Sequence, residues 1–167
     1  QNKSKLPPAN IYGQQLFRDN SLKLFRTSED AKPTGSYVLG VGDVVAISIY
    51  GTSSFNDSKE ITKDGYIEPY DKGPVGRYYI NGLTIDGATK LLQQGISRFV
   101  RFNPGEFKLS IATARTVNVN IFGEVFNNGS FNISAVNTAF NALVAAGGPT
   151  DKGSVRKIKL IRAGQKP

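Results

Sequence analysis

Five carboxylates fall within one short polar stretch: Asp57, Glu60, Asp64, Glu68 and Asp71. Two carboxylates held in a cleft can do general acid–base work when their environments separate their ionisation. Asp64 precedes Gly65 in a turn signal, however, and the others lie among polar loop residues, so the stretch reads as a solvated rim. The chain has no His and no Cys. That removes the commonest general base and metal ligand together with the thiolate nucleophile, and it excludes disulfides. No catalytic set, metal site or cofactor is expected. Gly40-Val41-Gly42-Asp43 imitates a phosphate loop, but it precedes a strand, whereas dinucleotide loops follow a strand and open a helix.

Two groups of residues are suited to binding instead. Arg156, Lys157, Lys159 and Arg162, in the run VRKIKLIR, are the best candidates for contact with an acidic ligand. Alternation puts Arg156 and Ile158 on one side and Lys157 and Lys159 on the other, so the charges form no single stripe. An edge strand that uses Lys to discourage unwanted pairing explains the run equally well. Tyr66, Tyr70, Tyr78 and Tyr79 have rings that could stack on sugars, but packing with exposed hydroxyls is the favoured reading.

The elements that must position these residues centre on Tyr37–Gly51, YVLGVGDVVAISIYG. Gly40 and Gly42 give backbone freedom on either side of Val41, and Asp43 can bond its neighbouring backbone. Val45, Ile47 and Ile49 then alternate with Val44, Ala46 and Ser48, predicting a strand buried on both faces. Lys59–Thr62 is expected to pair with Tyr66–Pro69 across Lys63-Asp64-Gly65, with Pro69 limiting the pairing. Pro74–Asn81 is a further strand-like run. Thr84 predicts a helix N-cap, and apolar spacing from Ile85 through Val100 predicts an amphipathic helix, weakened by Gly95 and ended by Asn103-Pro104-Gly105. Phe107–Ala114 is a returning strand.

Arg115-Thr116 marks a change of unit. Val117, Val119 and Ile121 predict a strand, Asn127-Asn128-Gly129 a hairpin turn, and Ser130–Ile133 the return. Asn137 or Thr138 caps a short helix that Gly147-Gly148-Pro149 stops, and Val155–Arg162 is a last strand. Residues 1–36 read as an extended arm, anchored by Ile11–Phe17 with Leu22, Leu24 and Phe25. The expected fold class is α+β: two small sheet-plus-helix domains in tandem, residues 37–115 and 116–167, after an N-terminal arm over 1–36.

With 167 residues the chain can bury a core without staples. Lys and Arg number 21 against 13 Asp and Glu, a net charge of +8 that suits an acidic partner or simply solubility. The opening at Gln1 and the close at Lys166-Pro167 suggest a piece of a longer protein, with any targeting segment outside it.

Taken in order, these runs resemble the bacterial outer-membrane polysaccharide export proteins, the Wza-like family. Leu39-Gly40-Val41-Gly42-Asp43-Val44 with Ile47-Ser48-Ile49-Tyr50-Gly51 is similar to the family's opening. Asp64-Gly65-Tyr66-Ile67-Glu68-Pro69 with Gly73, and Gly82-Leu83-Thr84, follow as its next two segments do. The second unit looks like an SLBB domain, a β-grasp module, on Val119–Val125, Gly129-Ser130-Phe131 and Ala142–Ala146 with Gly147-Gly148. Val41 and Asn128 stand where the family usually has Pro, both at turns. The resemblance spans about residues 11–162.

The resemblance implies the periplasmic part of a non-catalytic exporter that conducts capsular or exopolysaccharide. The implied location is the Gram-negative cell envelope, on the periplasmic side of the outer membrane. Implied partners are the polysaccharide, further copies of the chain in a ring, and an inner-membrane polysaccharide co-polymerase, with no nucleic acid. The alternative is a β-grasp module binding a small soluble ligand or nucleic acid on its sheet. The unit over Tyr37–Ala114 discriminates between them, since a lone binding module does not need it.

Overall fold

The computed structural model describes residue 17 and residues 33–51, 54–70, 75–154 and 156–162. Among the described residues it combines antiparallel strand pairs with the helices Ile85–Ile96 and Ala139–Ala145, compatible with the α+β class. Contacts divide the chain into two compact units, Ala31–Arg115 and a second made of Gln1–Asp30 with Thr116–Pro167.

In the first unit β1 (Val44–Ile49) is the central strand of a three-stranded sheet, flanked by β2 (Phe55–Glu60) and, on its other side, by a later strand, β5 (Phe107–Thr113). Val45, Ile47 and Ile49 of β1 are fully buried, but Val44, Ala46 and Ser48 are only half-buried, which corrects the expectation of a strand covered on both faces. β2 also corrects an expectation. Lys59 and Glu60 pair with Val45 and Val44 of β1 rather than folding onto Tyr66–Pro69. What survives of the expected hairpin is its turn: Thr62 N–H donates to the Tyr66 carbonyl at 2.9 Å, and Gly65 has φ +84°. Beyond that turn β3 (Tyr66–Ile67) pairs with β4 (Tyr78–Tyr79), Tyr66 opposite Tyr79.

The helix α1 (Ile85–Ile96) is capped by Thr84, whose hydroxyl accepts from Gly87 N–H at 3.1 Å. Asp86 in the first turn favours the same end electrostatically. Ile85, Ala88, Leu92 and Ile96 form the buried stripe. The helix stops four residues short of Val100, with Ser97 as its C-cap, and Phe99 stands exposed. Gly95 has a packing reason as well as a propensity cost, because an added Cβ would lie 2.6 Å from Cζ of Tyr78. Leu39, Ile61, Ile67 and Ile80 join the sheet and helix residues in one continuous buried cluster.

The second unit contains the hairpin of β6 (Thr116–Ile121) and β7 (Gly129–Ser134), and the short helix α2 (Ala139–Ala145). Ile121 pairs with Gly129, so residues 122–128 form the connection and Asn127-Asn128-Gly129 is not a tight two-residue turn. The loop is long because Val125 bridges to Pro149, and Thr150 donates N–H to the Glu124 carbonyl at 2.9 Å. Thr138 caps α2 in a reciprocal arrangement with Asn141, and Gly147 and Gly148, with φ of 80° and 81°, end it.

Val155–Arg162 departs most from expectation. Among the described residues 156–162 there is no strand ladder, and Ile158, Leu160 and Ile161 are 60, 57 and 62% exposed. Alternation supplied strand character, but strand formation needs a hydrogen-bonding neighbour, which a pattern cannot supply. Of the arm's expected anchors only Phe17 is described. It lies 6.0 Å from Phe140 between ring centroids and against Gly148, where a Cβ would come within 2.6 Å of its Cγ. Ile11–Leu16, Leu22, Leu24 and Phe25 lie outside the described residues.

Candidate functional site

The turn before β1 contains an acid that accepts from four donor groups. Asp43 is wholly buried. Its Oδ1 accepts the Arg115 backbone N–H at 2.7 Å, and its Oδ2 accepts the Gly40 N–H at 2.8 Å and Arg115 Nη1 at 2.6 Å. The Tyr37 hydroxyl donates to the same carboxylate at 3.0 Å, and the Arg115 guanidinium lies 5.8 Å from the centroid of the Tyr37 ring. Burial, then the neighbouring Asp43 charge, pushes the Tyr37 hydroxyl well above its usual ionisation range.

The two glycines of the turn have different reasons. Gly42 adopts φ +87°, whereas Gly40 leaves room for Arg115, whose Cζ would sit 2.5 Å from an added Cβ. With its oxygens taken by four donor groups, Asp43 ties the start of β1 to the end of β5 rather than offering a base to a substrate.

Nor do the other described acids of the stretch form a reacting pair. Asp57 is bridged to Lys59 at 2.8 Å, and that contact, with the Ser58 N–H, holds its carboxyl below the usual range. Glu68 is bridged to Arg77 at 2.5 Å. Asp64 lies in the Lys63–Gly65 turn, Glu60 ends β2 with its side chain exposed, and Asp71 lies outside the described residues. Among the described residues no three acidic side chains converge to hold a metal ion.

No protein-family model and no curated protein matches this chain. The functional reading therefore rests on the residues themselves.

Arg156, Lys157, Lys159 and Arg162 are all exposed, on a segment that opens in a turn and forms no strand, so they share no sheet face. The tyrosines divide in a way the sequence did not reveal. Tyr70 stacks on Phe55 at 4.2 Å and 17°, and burial raises the ionisation range of its hydroxyl. Tyr78 is half-buried against Gly95. Tyr66 and Tyr79, by contrast, stand in solvent as an edge-to-face pair with centroids 5.1 Å apart. Strand register decides this, and the sequence signal was faint: two tyrosines, each alternating with a buried Ile at 67 and 80.

Two open grooves complete the surface of the first unit, one of about 270 Å³ beside Lys90, Gln93, Gln94 and Phe102, the other of about 240 Å³ beside Ser48, Tyr50 and Asn56. Both are smaller than the pockets that enclose a small-molecule substrate, which start at roughly 300 Å³.

Proposed function

We propose that the chain belongs to the periplasmic portion of an outer-membrane exporter that conducts capsular or exopolysaccharide across the cell envelope without catalysis. In this reading a polysaccharide export domain is followed by an SLBB β-grasp domain, and copies of the protein form a ring around the polymer's path. One observation carries the proposal: several of the residues behind the sequence resemblance, at turns and helix ends, hold the fold. Asp43 clamps the first turn, Gly65 makes the next, Thr84 caps α1, and Gly147-Gly148 end α2. Among the described residues the second unit also turns outward Lys152, Arg156, Lys157, Lys159 and Arg162 against Glu124 and Asp151, beside the exposed Ile158, Leu160 and Ile161. Such a surface can wet a polymer through weak, distributed contacts without trapping it.

The test is removal of the full-length gene from its host. Polymer retained inside the envelope and missing from the cell surface is the expected result, restored by the intact gene. Surface polymer at the wild-type level would sink the proposal.

The exposed cations over 156–162 favour one competing reading, a module that binds nucleic acid. Oligonucleotide affinity that collapses between low and moderate salt would support that reading. Affinity that is negligible at physiological salt would support the exporter.

A further inference from the structure

We propose that the β3–β4 ribbon carries a sugar-binding platform, in which the Tyr79 ring stacks on a pyranose, the Tyr66 ring, at 72° to it, flanks the sugar's edge, and Glu68, Arg77 and Asn81 take its hydroxyls. This deepens the exporter reading and rests on it for the identity of the ligand as a polysaccharide. Alternation through the ribbon turns Ile67, Pro69 and Ile80 into the core and leaves Tyr66, Glu68, Arg77 and Tyr79 outward. Register sets Tyr66 opposite Tyr79, and the 2.5 Å bridge shows Glu68 and Arg77 facing each other one step along. The two rings are 38 and 50% exposed although each belongs to a cross-strand pair that burial would strengthen. Tyr79 lies over the turn, where a Cβ on Gly65 would come within 2.6 Å of its Cε2, and Asn81 Nδ2 sits 3.4 Å from its hydroxyl.

The chemistry selects a sugar. The C–H face of a pyranose lies flat on an aromatic ring, and a carboxylate beside a guanidinium accepts from and donates to neighbouring hydroxyls. Among the described residues of the ribbon and its turn the charges balance, Glu68 bridged to Arg77 and Asp64 next to Lys63 in the chain. Among the described residues of the ribbon a nucleotide would find stacking rings but no surplus cation for its phosphate, which nucleic-acid affinity requires.

The experiment follows the tyrosine ring resonances of the chain by NMR during titration with maltoheptaose, oligogalacturonate and an oligo-dT strand. Saturable shifts of the Tyr66 and Tyr79 rings by a saccharide are expected. Tyr79→Leu is expected to weaken that binding by about tenfold, and Tyr79→Phe to retain it. Melting temperatures of both variants separate loss of stacking from loss of fold.

Binding by Tyr79→Leu at the wild-type level overturns the platform, as does response to oligo-dT alone or to none of the three. The exporter reading fails by a different result, wild-type surface polymer after removal of the gene.

Discussion

The two units combine a strand hairpin with a helix and bury very different amounts. In the first, fourteen hydrophobic residues are buried in one cluster that spans β1, β5, α1 and the turns between them. In the second, among the described residues, Ala142, Val144 and Ala146 are the buried hydrophobics, all from α2 and its end, while β6 and β7 have none. Their edges differ too. β2 turns the bridged pair Asp57 and Lys59 toward the sheet's core side, a device that discourages pairing with a foreign strand. β6 and β7 contain no charged residue at all. Among the described residues, similar elements therefore give a continuous buried core in one case and a few buried side chains in the other. Burial, rather than the element list, sets where stability resides.

The sharpest way to break this comparison is Asp43→Ala. It leaves Arg115, the Gly40 N–H and the Tyr37 hydroxyl without their shared acceptor, at an expected cost of about 3–5 kcal/mol. Six of the seven tyrosines lie in the first unit, so tyrosine fluorescence during denaturant unfolding reads that unit. A loss under about 1 kcal/mol would show that the clamp is dispensable.

Gly95→Ala comes next. Helix propensity alone favours Ala by about 1 kcal/mol, but the Cβ must displace the Tyr78 ring, and overpacking of that kind costs roughly 1–3 kcal/mol. Net destabilisation is expected, turning to stabilisation in a Tyr78→Ala background. Stabilisation in the wild-type background would refute the packing role of Gly95.

An alkaline titration is gentler. The folded state holds the Tyr37 hydroxyl protonated above its unfolded value of 10.0. Its contribution is therefore intact below that pH and declines as pH rises toward the higher folded value, because only the unfolded chain has released the proton. Tyr37→Phe removes this part of the slope. An unchanged slope, measured by denaturant midpoints across the alkaline range, would mean that Tyr37 ionises freely.

The smallest effect belongs to the second unit. Ile158→Lys replaces an exposed side chain on an unpaired segment and is expected to shift stability by less than about 0.5 kcal/mol. A larger loss would reveal burial of Ile158 in solution and narrow the contrast between the units.

Local signals were legible where local chemistry decides the outcome. Thr84 and Thr138 capped the helices, Gly65 made its turn, and Gly147-Gly148 ended α2. β2 was illegible at its start because Asn56, Asp57 and Ser58 have poor strand propensity and are held by register with β1. The run over 156–162 failed in the opposite direction, with strand propensity but no ladder among the described residues. The candidate sugar platform was half legible: the sequence offered four tyrosines, and register chose which two face outward.

By itself, then, the sequence determined the turns at Gly40–Asp43 and Lys63–Gly65, the caps and the apolar faces of β1 and α1, since each depends on residues within a few positions of one another. Only tertiary structure decided that Asp43 meets Arg115 seventy-two positions along the chain, and that Tyr66 and Tyr79 share one solvent face. Those outcomes follow from which strands pair and what each unit can bury, and both are properties of the assembled chain rather than of any stretch within it.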